Sequence, residues 1–213
     1  MKILCVADEE CKSLYDYYTP GKLKDYDLIL SCGDLKADYL SFLVTVGRAP
    51  VFYVHGNHDT GYDQRPPEGC DCIDDKLVVY NGLRILGLGG CRWYHEGKYQ
   101  YTEKQMRRRI RKLRFKLWRL GGVDIVVAHA PAEGLGDMPD PAHKGFRAFL
   151  ELMDKYQPMY LLHGHVHKNY GTQVQTEHTY GRTKLINVGE RYVLDFPDEL
   201  LPRTLKKGDK LDV

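Results

Sequence analysis

The chain has 213 residues, of which 43% are hydrophobic and 28% charged, and a formal net charge of +2. That length suits one domain, here residues 1–213, with a full hydrophobic core that needs no disulfide or structural metal. The composition excludes disordered and collagen-like classes, and no apolar run reaches the ~18 residues of a membrane span.

In chain order, apolar runs predict a strand over residues 2–7, a helix over about 11–18, a strand over 27–32, a helix over 36–46 and a strand over 51–54. Strands alternating with helices across short loops read as parallel βαβ units. A Pro/Gly/Asp-rich loop follows at 60–69. Two strands at 76–80 and 83–88 then flank Asn81-Gly82, the strongest short-range hairpin signal. A basic helix over 102–120 leads to a strand at 123–128, a helix at about 143–156 and a strand at 159–162. Further strands are expected at 170–176, 183–188 and 192–196, with Tyr180-Gly181-Arg182 as a turn. About nine strands and four helices fit two stacked mixed sheets with helices outside.

The N-terminal apolar run stops at Asp8, too early for a secretory core. The six cysteines show no CxxC spacing, and Cys70-Asp71-Cys72 lacks the second Cys or His pair of a zinc finger. A cytoplasmic protein with reduced thiols and no membrane partner is the expectation.

The strand ends carry the chemistry. They read Asp8-Glu9-Glu10, Gly33-Asp34, His55-Gly56-Asn57-His58-Asp59, His129-Ala130-Pro131 and His163-Gly164-His165-Val166-His167. In open α/β sheets this is the edge where ligands bind. One such fragment is an ordinary turn; five in succession predict a metal centre. A carboxylate can bridge two cations through its two oxygens, and imidazole or amide oxygen binds borderline metals without cancelling their charge. His165 and His167, two apart on extended chain, project the same way.

In this order the motifs resemble the calcineurin-like metallophosphoesterase superfamily, over residues 8–167. The resemblance implies a four-layer α/β/β/α sandwich and a dinuclear centre that hydrolyses phosphate mono- or diesters. It implies that Asp34 bridges the metals, with Asp8 and His167 on the first and Asn57, His129 and His165 on the second. His58 is then no ligand but faces the leaving group; the chemistry of imidazole there would supply a proton to the departing oxygen or stabilise charge on it, with Asp59 a candidate orienter. Two cations sharing a water would lower its pKa and clamp the phosphoryl group for in-line attack.

One position departs from the pattern. Where Asp-x-His is usual, the chain has Asp8-Glu9-Glu10. Glu10 either replaces histidine as a ligand, or holds a metal-bound water, or leaves the first metal weak or absent. A ligating Glu10 lowers the site's charge by one unit and favours harder ions, manganese or iron before zinc. The alternative to an enzyme is a scaffold of the same fold whose catalysis is lost through Glu10.

Residues 102–120 carry a net +8, leaving −6 on the remainder. Met106, Ile110, Leu113, Leu117 and Leu120 form one apolar stripe, with the arginines and Phe115 expected on the opposite face. Such a helix is a solvated outer face, a patch for an anionic partner such as nucleic acid, or a subunit contact. Trp93, Tyr94, His95, Tyr99 and Tyr101 precede it as candidates for lining a substrate pocket or for packing on the sheet.

Overall fold

The computed structural model describes residues 1–167 and 175–200. Its elements run β1 (Lys2–Val6), β2 (Leu28–Ser31), α1 (Ala37–Gly47), β3 (Val51–Tyr53), β4 (Asp71–Cys72), β5 (Leu77–Tyr80) and β6 (Leu83–Leu88). After β7 (Cys91–Arg92) and β8 (Gln100–Tyr101) come α2 (Glu103–Lys112), α3 (Arg114–Arg119) and β9 (Ile125–Ala128). The chain continues through α4 (Arg147–Tyr156), β10 (Tyr160–His163), β11 (Glu177–Tyr180), β12 (Thr183–Asn187) and β13 (Tyr192–Asp195).

Two mixed sheets stack as expected. One has the order β13-β1-β2-β3-β4, the other β11-β12-β10-β9-β6-β5. Residues such as Ile3, Cys5, Leu28 and Leu30 meet Ile125, Val127, Leu162 and Ile186 in an apolar layer between the sheets. Strands buried on both faces read as continuous apolar runs, which is why β1, β2 and β9 were legible. Outside the first sheet, α1 packs Tyr39, Leu40 and Leu43 onto Leu4, Val6 and Ile29. Outside the second, α2, α3 and α4 pack Met106, Leu117, Phe149 and Leu152 onto Leu86, Val126 and Leu161. The result is the α/β/β/α sandwich.

The Asn81-Gly82 turn forms with both residues left-handed, at φ 49° and 87°, as a type I′ hairpin between β5 and β6 requires. Thr102 caps α2 through a reciprocal capping box with Gln105.

Three expectations are corrected, and a fourth falls outside the described residues. Residues 11–18 form turns, not a helix: the amides of Leu14 and Tyr15 both bond the Cys11 carbonyl, while that of Tyr17 reaches Lys12. No repeating ladder results; edge-on packing of Tyr15 and Tyr18 against Phe42 holds the segment instead. The basic helix is two helices broken at Leu113, whose amide bonds Ile110 in a tightened turn. No proline or glycine marks that break. The helix expected from 143 starts at Arg147, because His143 instead closes a loop by bonding Asp140. The strand expected at 170–176 lies mostly outside the described residues, and the next described strand is β11.

Candidate metal centre

Parallel pairing of β1 with β2, of β2 with β3, and of β9 with β10 sends their C-terminal ends to one edge. Residues as far apart as Asn57 and His129 thereby become neighbours. Asp34, His129 and His165 each turn a donor atom to within 4.8 Å of one another. His129 Nε2 lies 3.3 Å from Asp34 Oδ2 and 3.1 Å from Asn57 Oδ1. Its Nδ1 is 2.8 Å from the Cys32 carbonyl, a partner that only a ring N–H satisfies. That bond spans the two sheets, sets the tautomer and leaves the Nε2 lone pair facing the carboxylate. His165 donates from Nε2 to the Ala142 carbonyl at 2.7 Å, which leaves Nδ1 for a ligand.

With the His129 ring neutral, a carboxylate oxygen, an amide oxygen and an imidazole lone pair face one another with no donor among them. Three acceptors so placed repel unless a cation joins them, and this donor set fits a divalent ion of the borderline to hard kind. The same field acts on protons. Burial pulls His129 down, yet the Asp34 carboxylate outweighs it and raises the ring to about 9. Burial pushes Asp34 up, but His129 and the His58 amide hold it below the usual carboxylate range. Burial, with the charge of His129, lowers His165 to about 3.

The backbone is bent to make this possible. Asp8, Asp34 and His165 hold left-handed φ of 60°, 57° and 70°, a conformation concentrated at functional sites in residues other than glycine. A Cβ on Gly56 would come within 1.9 Å of Asp34 Oδ1, so only glycine admits the carboxylate there. Asp59 Oδ2 accepts the amides of Asp34 and Gly56 at 2.9 and 2.7 Å and locks the two loops together. It braces Asp34, a role distinct from the expected one of orienting His58. Asn187 bonds the Val166 carbonyl at 2.8 Å and holds the histidine loop.

The other anticipated residues are placed differently. Asp8 accepts the His165 amide with both oxygens, at 2.9 and 3.0 Å. Glu10 pairs with Lys36, yet its buried Oε1 makes no hydrogen bond among the described residues. The cation beside that oxygen is the Lys36 ammonium, 3.4 Å away. His167 Nδ1 lies 3.5 Å from Glu9. His58 donates its amide to Asp34 Oδ1 at 2.8 Å, while its ring is 76% exposed with Nε2 4.0 Å from Asp34 Oδ2. Beside it opens a cavity of about 380 Å³ lined by Asp34, Lys36, His58, Tyr62 and Arg65. None of the five anticipated aromatic-loop residues lines it.

Sequence reasoning missed a brace behind the Asn57 loop. Asp74 accepts the amide and Nδ1 of His55 at 3.2 and 2.6 Å and the Gly89 amide at 2.6 Å. Tyr99 stacks on His55 at 4.3 Å. Arg109, expected on the solvent face, turns inward to bond Asp75 and the Gly89 carbonyl, with Tyr101 against its guanidinium at 4.0 Å. His55, Cys72 and Asp74 could together offer three metal-ligand atoms. The Asp74 oxygens already hold hydrogen bonds, so the group reads as support. Nothing in the local sequence sets Arg109 apart from Arg108 and Arg111, which stay exposed.

Residues 1–169 match the family model described as "Calcineurin-like phosphoesterase". The chain belongs to that family. It is also similar to the Caenorhabditis elegans "UPF0046 protein K07C11.7", at 23% identity over 89% of this chain and 70% of the relative. A solved structure aligns with TM-score 0.64 and 16% identity, over 91% of this chain and 94% of its own. The protein TT1561 of Thermus thermophilus aligns with TM-score 0.58 and 14% identity, over 89% of each chain. These likenesses show the fold, two mixed sheets with helices outside. Among the described residues no helix is long and apolar enough to cross a membrane.

Proposed function

We propose that this member of the calcineurin-like phosphoesterase family hydrolyses a phosphate mono- or diester with two divalent ions. The observation that carries the reading is the convergence of Asp34 Oδ2, Asn57 Oδ1 and His129 Nε2 on one point beside an exposed His58. Asp34, Asn57, His129 and His165 would hold one ion; Asp8, Glu10 and His167, with Asp34 shared, would hold the other. Divalent ions supply Lewis-acid charge at the phosphoryl oxygens and lower the pKa of water.

The chain's own residues do the rest. Lys36 and Arg65 line the cavity and attract an anionic ester. His58 stands at the rim, free to give a proton from its ring to the departing oxygen. Asp59 and Gly56 keep Asp34 in place while charge builds nearby. With Glu10 as a ligand, manganese or iron is favoured over zinc. Six free cysteines suit a reducing compartment and support a cytoplasmic setting.

A second reading, a scaffold without catalysis, draws on Glu10 and His167 having other partners in Lys36 and Glu9. Metal analysis, with p-nitrophenyl phosphate and bis-p-nitrophenyl phosphate assays under added manganese, separates the two. Hydrolysis of either ester with two ions bound supports the enzyme. No turnover of either with both ions bound overturns it.

A further inference from the structure

The two helices that carry the +8 segment turn two parallel stripes in opposite directions. The inward stripe buries Met106, Leu113 and Leu117 under the second sheet. Two residues earlier in register, Lys104, Arg108, Arg111, Phe115 and Trp118 repeat the same spacings of 4, 3, 4 and 3 on the outward face. All five are exposed, Phe115 at 63% and Trp118 at 75%. The two rings stand 5.7 Å apart, tilted by 35°.

Most cations of this face lack a carboxylate partner. Arg107 is tied to Glu151. Lys104, Arg108, Arg111, Lys112, Arg114 and Arg119 form no ion pair with any described residue. A shallow groove of about 630 Å³ continues the aromatic end, between Trp118 and Arg114 on one side and Lys155 and Tyr156 on the other. Leaving two large rings and these six cations in water gains nothing for the fold.

We propose that this face binds single-stranded nucleic acid, with phosphates along the Lys104–Arg111 half and bases stacked on Phe115 and Trp118. A row of cations that runs on into flat rings along one line matches a strand whose bases are free to stack. The stripe spans about 20 Å of helix, room for a strand of a few nucleotides. A membrane surface fits less well. Interfacial helices need a wide apolar face toward the lipid, and here that face is spent on Met106, Leu113 and Leu117 in the core. The aromatic end precedes Gly121-Gly122 and the start of β9, whereas His129 follows the end of that strand. A bound strand therefore leaves the metal edge open, and the proposal stands apart from the catalytic reading.

The test is fluorescence anisotropy with labelled oligonucleotides of about a dozen residues, in EDTA at low salt, so that no hydrolysis intervenes. Single strands are expected to bind more tightly than a duplex of equal length, with affinity falling as salt rises. Phe115→Ala/Trp118→Ala should weaken the single strand about tenfold with the salt dependence kept. Arg108→Glu/Arg111→Glu should weaken it at least as much and flatten the salt dependence. All four side chains are exposed, and an unchanged Tm verifies that the variants fold. No single-strand binding by the wild type, equal binding of duplex, or indifference to the aromatic pair overturns the proposal. Binding to phosphatidylserine vesicles in place of the oligonucleotide overturns it in favour of a membrane.

Discussion

The ammonium of Lys36 stands 3.4 Å from one oxygen of Glu10 and 3.5 Å from the other. Glu10 occupies the place of histidine in the Asp-x-His pattern and so adds a negative charge beside the candidate centre. Lys36, from the residue that precedes α1, returns a positive one. At 79% exposure Lys36 contributes little to stability through this pair. Its effect is on the charge that an incoming anion meets.

Replacing Glu10 by His should therefore raise the site's charge by one unit while Lys36 remains. Inorganic phosphate is expected to bind about tenfold more tightly, and the metal preference to move from manganese toward zinc. Lys36→Met should do the reverse to phosphate, weakening it several-fold without changing the metal preference. Titration calorimetry with both metals and with phosphate reads all of these. An unchanged preference in Glu10→His removes Glu10 from the ligand set.

Asp34→Asn takes away the carboxylate that lies against both His129 and His58. Loss of metal affinity should exceed the ~10–100-fold typical of residues that merely orient a ligand, and activity should disappear with it. Atomic absorption after dialysis, beside the manganese-supplemented assay, makes the comparison. Full metal content in the variant would assign the ion to other residues.

His58→Ala should behave differently. Its ring is exposed and is not part of the convergent donor set, so metal content is expected to stay at the wild-type level. Hydrolysis should slow by about 10²–10⁴-fold for an alkyl ester and far less for a nitrophenyl ester, whose leaving group needs no proton. Equal losses on both esters would rule out proton donation.

The His55–Asp74 pair predicts a pH dependence of stability. Burial lowers His55, but the Asp74 bond outweighs it and raises the ring from 6.5 to about 9. A raised histidine pKa stabilises the folded state fully below about pH 6.5, and that stabilisation is lost as pH climbs through about 9. Tm is expected to decline over this window in wild type. Asp74→Asn should melt lower at the acidic end of the window and show a flatter profile. Parallel declines in both proteins would place the titration elsewhere.

Much of this was written in local sequence. Continuous apolar runs marked β1, β2 and β9 because a strand buried on both faces has no polar alternation to obscure it. Asn81-Gly82 marked its hairpin because only such residues hold two successive left-handed φ angles cheaply. The polar residues closing the strands fall at one edge of the fold, since parallel strands deliver their ends to the same place. In each case the cause lies within a few residues of the effect.

The tertiary structure decided what depends on partners distant in sequence. Residues 11–18 form turns because rings from α1 offer packing that a helix there would forgo. Arg109 faces inward because Asp75 and the Gly89 carbonyl wait beneath it. Glu10 meets Lys36, and His167 meets Glu9, through distances that no spacing rule contains. Asp34, Asn57, His129 and His165 become one cluster only when two sheets stack and bring four separate loops within a few ångströms. Charge and hydrogen bonding act over that short range, so composition and periodicity name the candidates and the packed fold chooses among them.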